Sequence, residues 1–242
     1  MKNVIKILLL LGLVAYLGFA IVKLAHPTEE VTCEAVNILI NDSLQGGFVT
    51  EDDIREILTK KKVYAEGRKL SEIDLPGIDS CLEESPYIDQ AQCYYTGNGS
   101  LFIQVTPQHP ILHVMAQNGE DYYLDKNGLT MPIGDFNLDL CIATGNINKK
   151  FAQQQLAALA QFIYEDEFWS RQAQQINVVS EKDIQIYPRM GNHVILLGDI
   201  SRFQDKLYRM QIFYKKGFPR IGWNKYKTIN LAFDNQVVCT RR

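Results

Sequence analysis

The chain has 242 residues, a formal net charge of −3, 46% apolar residues and 22% charged ones. That apolar content supports one large domain or two modest ones and excludes a broadly disordered chain. A net-acidic body lacks the basic face that a nucleic-acid backbone requires. Five cysteines, at positions 33, 81, 93, 141 and 239, are too few for a disulfide-built scaffold, and no CxxC pair is present for a zinc ribbon.

The first element is the strongest physical signal. Ile7 to Val22 is an unbroken run of apolar and small residues, extended by Val4 and Ile5 on one side and by Leu24 and Ala25 on the other. Lys6 and Lys23 sit near its ends, where long stems carry charge to the interface. As a helix, Val4 to Ala25 reaches across roughly 30 Å of hydrocarbon. Lys2 and Lys6 then hold the N-terminus in the cytoplasm and send everything after Ala25 out. The expected layout is a cytoplasmic tail over 1–3, a transmembrane helix over 4–25, a polar linker over 26–32 and an extracytoplasmic body. The rival reading is a signal peptide cleaved after Ala20. Either way the odd number of cysteines leaves at least one thiol free or paired between chains. A bond between Cys33 and Cys239 stays open outside the cytoplasm.

In the body, Val36, Ile38 and Ile40 alternate with Ala35, Asn37 and Leu39, which predicts a strand. Gly46 and Gly47 break it. Thr50 is placed to cap a helix, with Glu51, Asp52 and Asp53 at its positive end and Val49 and Ile54 as a hydrophobic staple. Leu75, Ile78 and Leu82 predict a second helix, stopped by Pro86. Ala91-Cys93-Tyr95 and Leu101-Ile103-Val105 alternate on either side of Gly97-Asn98-Gly99, a hairpin. The order from Cys33 to Val114 is strand, helix, helix, strand, strand.

The second half is richer in strands. Tyr122 to Asp125 and Leu129 to Met131 flank the turn pair Asn127-Gly128. A helix follows from Lys149, with Leu156, Leu159, Ala160 and Ile163 on one face, and Phe168-Trp169 starts a further helical turn or packed loop. Ile176 to Val179, Ile184 to Tyr187 and His193 to Gly198 read as strands. Phe203, Leu207, Met210 and Phe213 mark a last helix. Ile229, Leu231 and Phe233 then alternate, and Val237-Val238 continues the strand across a bulge at Asp234-Asn235.

Residues for chemistry are sparse. His109 and His113 are four apart, but Pro110 forbids the helix that would bring both to one metal. There is no GxSxG and no glycine-rich phosphate loop. Asp52-Asp53 and Asp166-Glu167 sit at a helix start and in a polar loop, where carboxylates are usually solvated. Cys93 lies in an apolar alternation and reads as core. No cofactor, metal, catalytic residue or small-molecule substrate is expected.

The strand-helix-helix-strand-strand unit resembles a POTRA domain. The likeness is carried by Val36-Asn37-Ile38, Thr50-Glu51-Asp52-Asp53-Ile54, Leu82-Glu83-Glu84-Ser85-Pro86-Tyr87-Ile88, and Ser100 to Val105 leading to Pro110. A POTRA domain directly after one N-terminal anchor resembles the bacterial cell-division family FtsQ/DivIB. Tyr123 to Gly128 is similar to the hairpin that opens that family's β domain. His193 to Gly198 followed by Lys206-Leu207, and Ile229 to Phe233 followed by Gln236 to Val238, are similar to its later strands. Two positions depart. Gln108-His109 stands where the family often has Glu-Arg, and Asn230-Leu231-Ala232-Phe233 where it commonly has Asp-Leu-Arg-Tyr.

The resemblance implies an α+β fold: a single N-terminal transmembrane helix, a POTRA domain over 33–114, and a mixed β-sheet domain with packed helices over 115–242 ending in a partner-binding strand. It implies a non-catalytic divisome scaffold of the inner membrane, single-pass, with a periplasmic body enriched at the division site. Its partners would be FtsB-like and FtsL-like single-pass membrane proteins and other divisome components. An envelope export or outer-membrane assembly factor is the other POTRA-containing class. The implied contact is the terminal strand, expected over Ile229 to Val238, with Lys227, Ile229, Leu231, Phe233, Asn235 and Val237 as partner-binding residues. Alternation equally allows Leu231 and Phe233 to be core and Asn235 a bulge residue.

Overall fold

The computed structural model describes residues 12–21, 32–42, 49–97, 99–134 and 138–242. Residues 12–21 form a helix, α1, with almost every side chain exposed. Among the described residues no helix is long and apolar enough to cross a membrane. The transmembrane helix expected over 4–25 is therefore unsupported, and its ends lie outside the described residues, as do the expected tail 1–3 and most of the linker 26–32.

The described residues form two compact units. The first contains most of β1 (Val36–Ile40), α2 (Glu51–Lys60), a 3-10 turn (Leu70–Glu72), and most of α3 (Leu75–Glu83), β2 (Ile88–Tyr95) and β3 (Leu101–Pro107), with strands and helices in the expected order. Its sheet runs β1-β3-β2. Three carboxylates in the first turn of α2 and Lys60 in the last complement the helix dipole. Val36, Ile38, Ile54, Leu58, Ile78, Leu82, Leu101, Ile103 and Val105 are buried, so the strand period of two and the helix spacing of three to four supply one core.

The second unit holds nine strands in the order β12-β11-β10-β9-β8-β7-β4-β5-β6. These are β4 (Pro110–Ala116), β5 (Asp121–Asp125), β6 (Thr130–Met131), β7 (Cys141–Gly145), β8 (Ala173–Ser180), β9 (Asp183–Pro188), β10 (Val194–Gly198), β11 (Tyr226–Asn230) and β12 (Val238–Arg241). Residues expected inside the first unit up to Val114 instead form β4, which pairs with β5 and β7 in the large sheet. Hairpins join β4 to β5, β5 to β6 and β8 to β9. The pairs β4–β7, β7–β8 and β10–β11 are parallel. Parallel neighbours need a crossover, and helices supply two of them. Between β7 and β8 lie α4 (Lys149–Phe151), a π-helical turn (Ala152–Leu156), α5 (Ala157–Glu165) and α6 (Trp169–Gln172). Between β10 and β11 lie α7 (Phe203–Ile212), a second π-helical turn (Phe213–Gly217) and α8 (Phe218–Ile221). Gly217 is required there, because a Cβ would meet the Phe213 ring at 2.7 Å.

The helices bury Phe151, Leu156, Leu159, Ile163, Leu207, Met210 and Phe218 against Val114, Leu124, Ile176, Ile186, Ile195 and Ile229. The Asn127-Gly128 turn forms as expected. The buried Asp125 carboxylate accepts from the Asn127 and Leu129 amides, and Gly128 takes φ +78°. All five cysteines are free thiols, and burial pushes Cys141 up to about 12.

Candidate functional site at the C-terminal sheet edge

The chain expected to form a single strand over Ile229–Val238 forms a hairpin instead. β11 is fully occupied: it runs parallel to β10 (Val194 beside Thr228, Ile195 beside Ile229) and antiparallel to β12 (Ile229 beside Cys239, Asn230 beside Val238). The open edge is therefore β12. An edge strand presents a row of unpaired N–H and C=O groups, to which an extended segment can add a further strand.

Residues 231–237 cross from β11 to β12, and one side chain from α7 organises them. The Arg209 guanidinium donates to the carbonyls of Leu231 at 3.0 Å, Phe233 at 2.7 Å and Gln236. The Asn230 side chain accepts from the Ala232 amide at 2.9 Å, and Asn235 adopts a left-handed φ of 56°. These contacts end β11 at Asn230 and turn the chain back. A planar guanidinium with five donors can hold three converging carbonyls, which a lysine ammonium cannot do with the same geometry.

The six sequence-predicted site residues divide. Ile229 and Leu231 are fully buried, so their side chains are core. Lys227 is exposed on β11. Phe233 is 53% exposed at the turn, Asn235 is exposed beside it, and Val237 is half-buried just before β12. The structure adds Val238, 41% exposed on the edge, and Tyr208 and Ile212, exposed on the helix that carries Arg209. Tyr208 and Arg209 line a cleft of about 500 Å³ with Arg202, Asp205, Asp234 and Asn235. Within it Arg202 bridges Asp205 at 3.0 Å and Asp234 at 3.3 Å. Lys206, its side chain 7% exposed, donates at 2.8 Å to Asp199, whose carboxyl it holds below the usual carboxylate range. A bridge on residues this exposed contributes little stability, so Arg202–Asp234 serves mainly to orient the loop.

Sequence reasoning missed Arg209 and the 238–241 edge. The signal for the edge was present: Asp234-Asn235 is a turn pair, and Val237-Val238-Cys239-Thr240 is a β-branched run after it. Arg209 gave none, because its partners are backbone carbonyls 22 to 27 residues away.

Behind the hairpin lies an aromatic cluster. Phe218 stacks on Trp223 at 4.8 Å and packs against His193, Phe213 and Tyr214. His193 is buried, and its Nε2 lies 2.7 Å from the Tyr214 hydroxyl. Arg242 donates to the Asn192 carbonyl, and its amide to Lys225 O, which ties the end of β12 to the turn before β10.

Elsewhere, His113 meets Asp121 at 2.7 Å across the β4–β5 ladder. Among the described residues no three His, Cys, Asp or Glu side chains are grouped to hold a metal ion.

Comparison with known proteins gives two family matches and no curated relative. Residues 31–106 match a POTRA-like domain. Residues 109–240, more than half of the 242-residue chain, match the family described as FtsQ/DivIB, C-terminal related. With a POTRA-like unit followed by that domain, the chain belongs to the FtsQ/DivIB family.

Proposed function

We propose that this chain is a non-catalytic divisome scaffold that holds FtsB-like and FtsL-like single-pass membrane proteins through the β12 edge and so links them to the septal peptidoglycan synthesis machinery. Membership of FtsQ/DivIB, a non-enzymatic division scaffold family acting through protein–protein interactions, supports the broader reading. The observation that carries the finer one is the open edge of β12 beside exposed Phe233, Val238 and Tyr208. Main-chain pairing gives affinity to an added strand, and the side chains around it select the partner. In this reading Val4 to Ala25 anchors the chain in the inner membrane, with the N-terminus cytoplasmic and the body periplasmic at the division site. In this reading the POTRA domain and the β domain are separate folding units, which the separate family matches over 31–106 and 109–240 support.

Depletion tests this reading. Loss of a division scaffold leaves growth and DNA segregation running while septation stops, so depleted cells elongate into filaments without septa. Cells that divide normally but lose outer-membrane integrity would overturn it in favour of an envelope assembly factor, the other class that uses POTRA domains.

A further inference from the structure

Charge is unevenly distributed along the chain. Residues 199–242 carry ten Lys and Arg against three Asp, a net +7, whereas the preceding 198 residues carry 15 against 25, a net −10. All three of those aspartates are already paired: Asp199 with Lys206, and Asp205 and Asp234 with Arg202. Arg209 is committed to the hairpin carbonyls. Seven exposed cations remain, Lys215, Lys216, Arg220, Lys225, Lys227, Arg241 and Arg242, and none forms an ion pair among the described residues; Arg242 gives one of its five N–H donors to the neutral Asn192 carbonyl and keeps its charge uncompensated. Lys215 borders a cleft with Asp166 and Glu167, so carboxylates already face it. The other six belong to the hairpin and the helical turns that lead into it.

The ladder gathers them. Tyr226 lies beside Arg241, and the Arg242 amide bonds Lys225 O, so Lys225, Lys227, Arg241 and Arg242 share the open end of the β11–β12 hairpin. Lys216 and Arg220 lie in the second π-helical turn and in α8, just before it. Like charges crowded at one place repel, and an opposite charge brought there is attracted and steered. Three kinds of occupant can be compared. A second copy pairing edge to edge would bring cations against cations. A lipid surface cannot complete a strand ladder. A polypeptide with carboxylates satisfies both the unpaired backbone and the charge.

We infer that the β12 edge takes an extended segment rich in Asp and Glu, its main chain pairing with β12 and its carboxylates meeting Lys225, Lys227, Arg241 and Arg242, while Lys216 and Arg220 speed its approach. The inference rests on β12 being the partner edge and adds the chemistry of what binds there.

The test uses the full chain in neutral detergent and two extended peptides as probes, one alternating Thr with Glu and one alternating Thr with Gln. The Glu peptide is expected to bind, to weaken roughly ten-fold between about 50 and 200 mM salt as its charges are screened, and to weaken comparably when the four hairpin cations are replaced by Gln. Lys216→Gln with Arg220→Gln should slow association and leave dissociation unchanged. A photoreactive group at Thr240 should cross-link to the Glu peptide. Equal binding of both peptides, cross-linked from Thr240 and indifferent to salt, would overturn the acidic specificity while leaving β12 as the edge. Salt-sensitive binding with no cross-link from Thr240 would overturn the edge itself. Phosphatidylglycerol vesicles binding where the Glu peptide does not, and losing that binding with the same four substitutions, would overturn the inference and assign the cations to a membrane surface.

Discussion

Phe218→Ala should destabilise the second unit by roughly 3–5 kcal/mol, the usual cost of emptying a large aromatic site in a packed core. Phe218 is fully buried at the first position of α8, immediately after the π-helical turn. Its ring meets His193 at 5.0 Å, Phe213 at 4.9 Å, Tyr214 at 5.2 Å and Trp223 at 4.8 Å. Alanine leaves these four rings facing a void that backbone relaxation fills only in part. Phe213 also packs over Gly217, so the site has little room to collapse. Urea unfolding followed by tryptophan fluorescence measures the effect, because Trp223 and Trp169 belong to the same cluster. A loss below about 1 kcal/mol would mean that the cluster is not a packed core.

Acid should destabilise the same cluster through one residue. Burial, with a smaller contribution from the Arg242 charge, lowers the His193 pKa to about 4 from its ordinary 6.5. The folded state therefore resists a proton that the unfolded chain takes up readily. Stability is full above the unfolded value and falls as pH drops from 6.5 toward 4, with a limiting slope of about 1.4 kcal/mol per pH unit. Across that window the loss attributable to His193 is about 3 kcal/mol, levelling off below the folded pKa. His193→Gln keeps a polar group beside the Tyr214 hydroxyl and removes the titration. Chemical denaturation at stepped pH should show the variant with a shallower slope than the parent between pH 4 and 6.5. Parallel curves would show that His193 takes up its proton as readily in the fold as in the unfolded chain, and would contradict the lowered pKa. Comparison with the parent cancels Asp199 and Asp139, whose carboxyls are held low by Lys206 and Arg189 and which also lose stabilising charge in acid.

The strands and α-helices of the first unit were legible, though not its 3-10 turn or its C-terminal limit, because each is built on a local pattern. Val36-Ile38 alternation, the acidic start of α2 and the Leu75-Ile78-Leu82 spacing all became buried faces of one small core. The Asn127-Gly128 turn was equally local. Long-range pairing hid the rest. β7 reads Cys-Ile-Ala-Thr-Gly, too weak a pattern to declare a strand, and it exists because β4 and β8 flank it. The terminal hairpin was misread for a specific reason. Ile229, Leu231 and Phe233 have the same parity, so a single strand was the simplest reading, yet Arg209 draws in the carbonyls of Leu231, Phe233 and Gln236 and Asn235 turns left-handed. Tertiary hydrogen bonds overrode the alternation, and the open edge expected over Ile229 to Val238 is confined to β12, Val238–Arg241.

Site-specific photo-cross-linking from the full chain in dividing cells tests the partner edge most directly. Photoreactive residues would replace Thr240 on β12, Thr130 on β6 at the opposite edge of the same sheet, and Ile229 inside β11. The account predicts an adduct with an FtsB-like protein from Thr240 and none from Thr130 or Ile229. An adduct from Thr130 with nothing from Thr240, in cells where the chain still supports division, would contradict it.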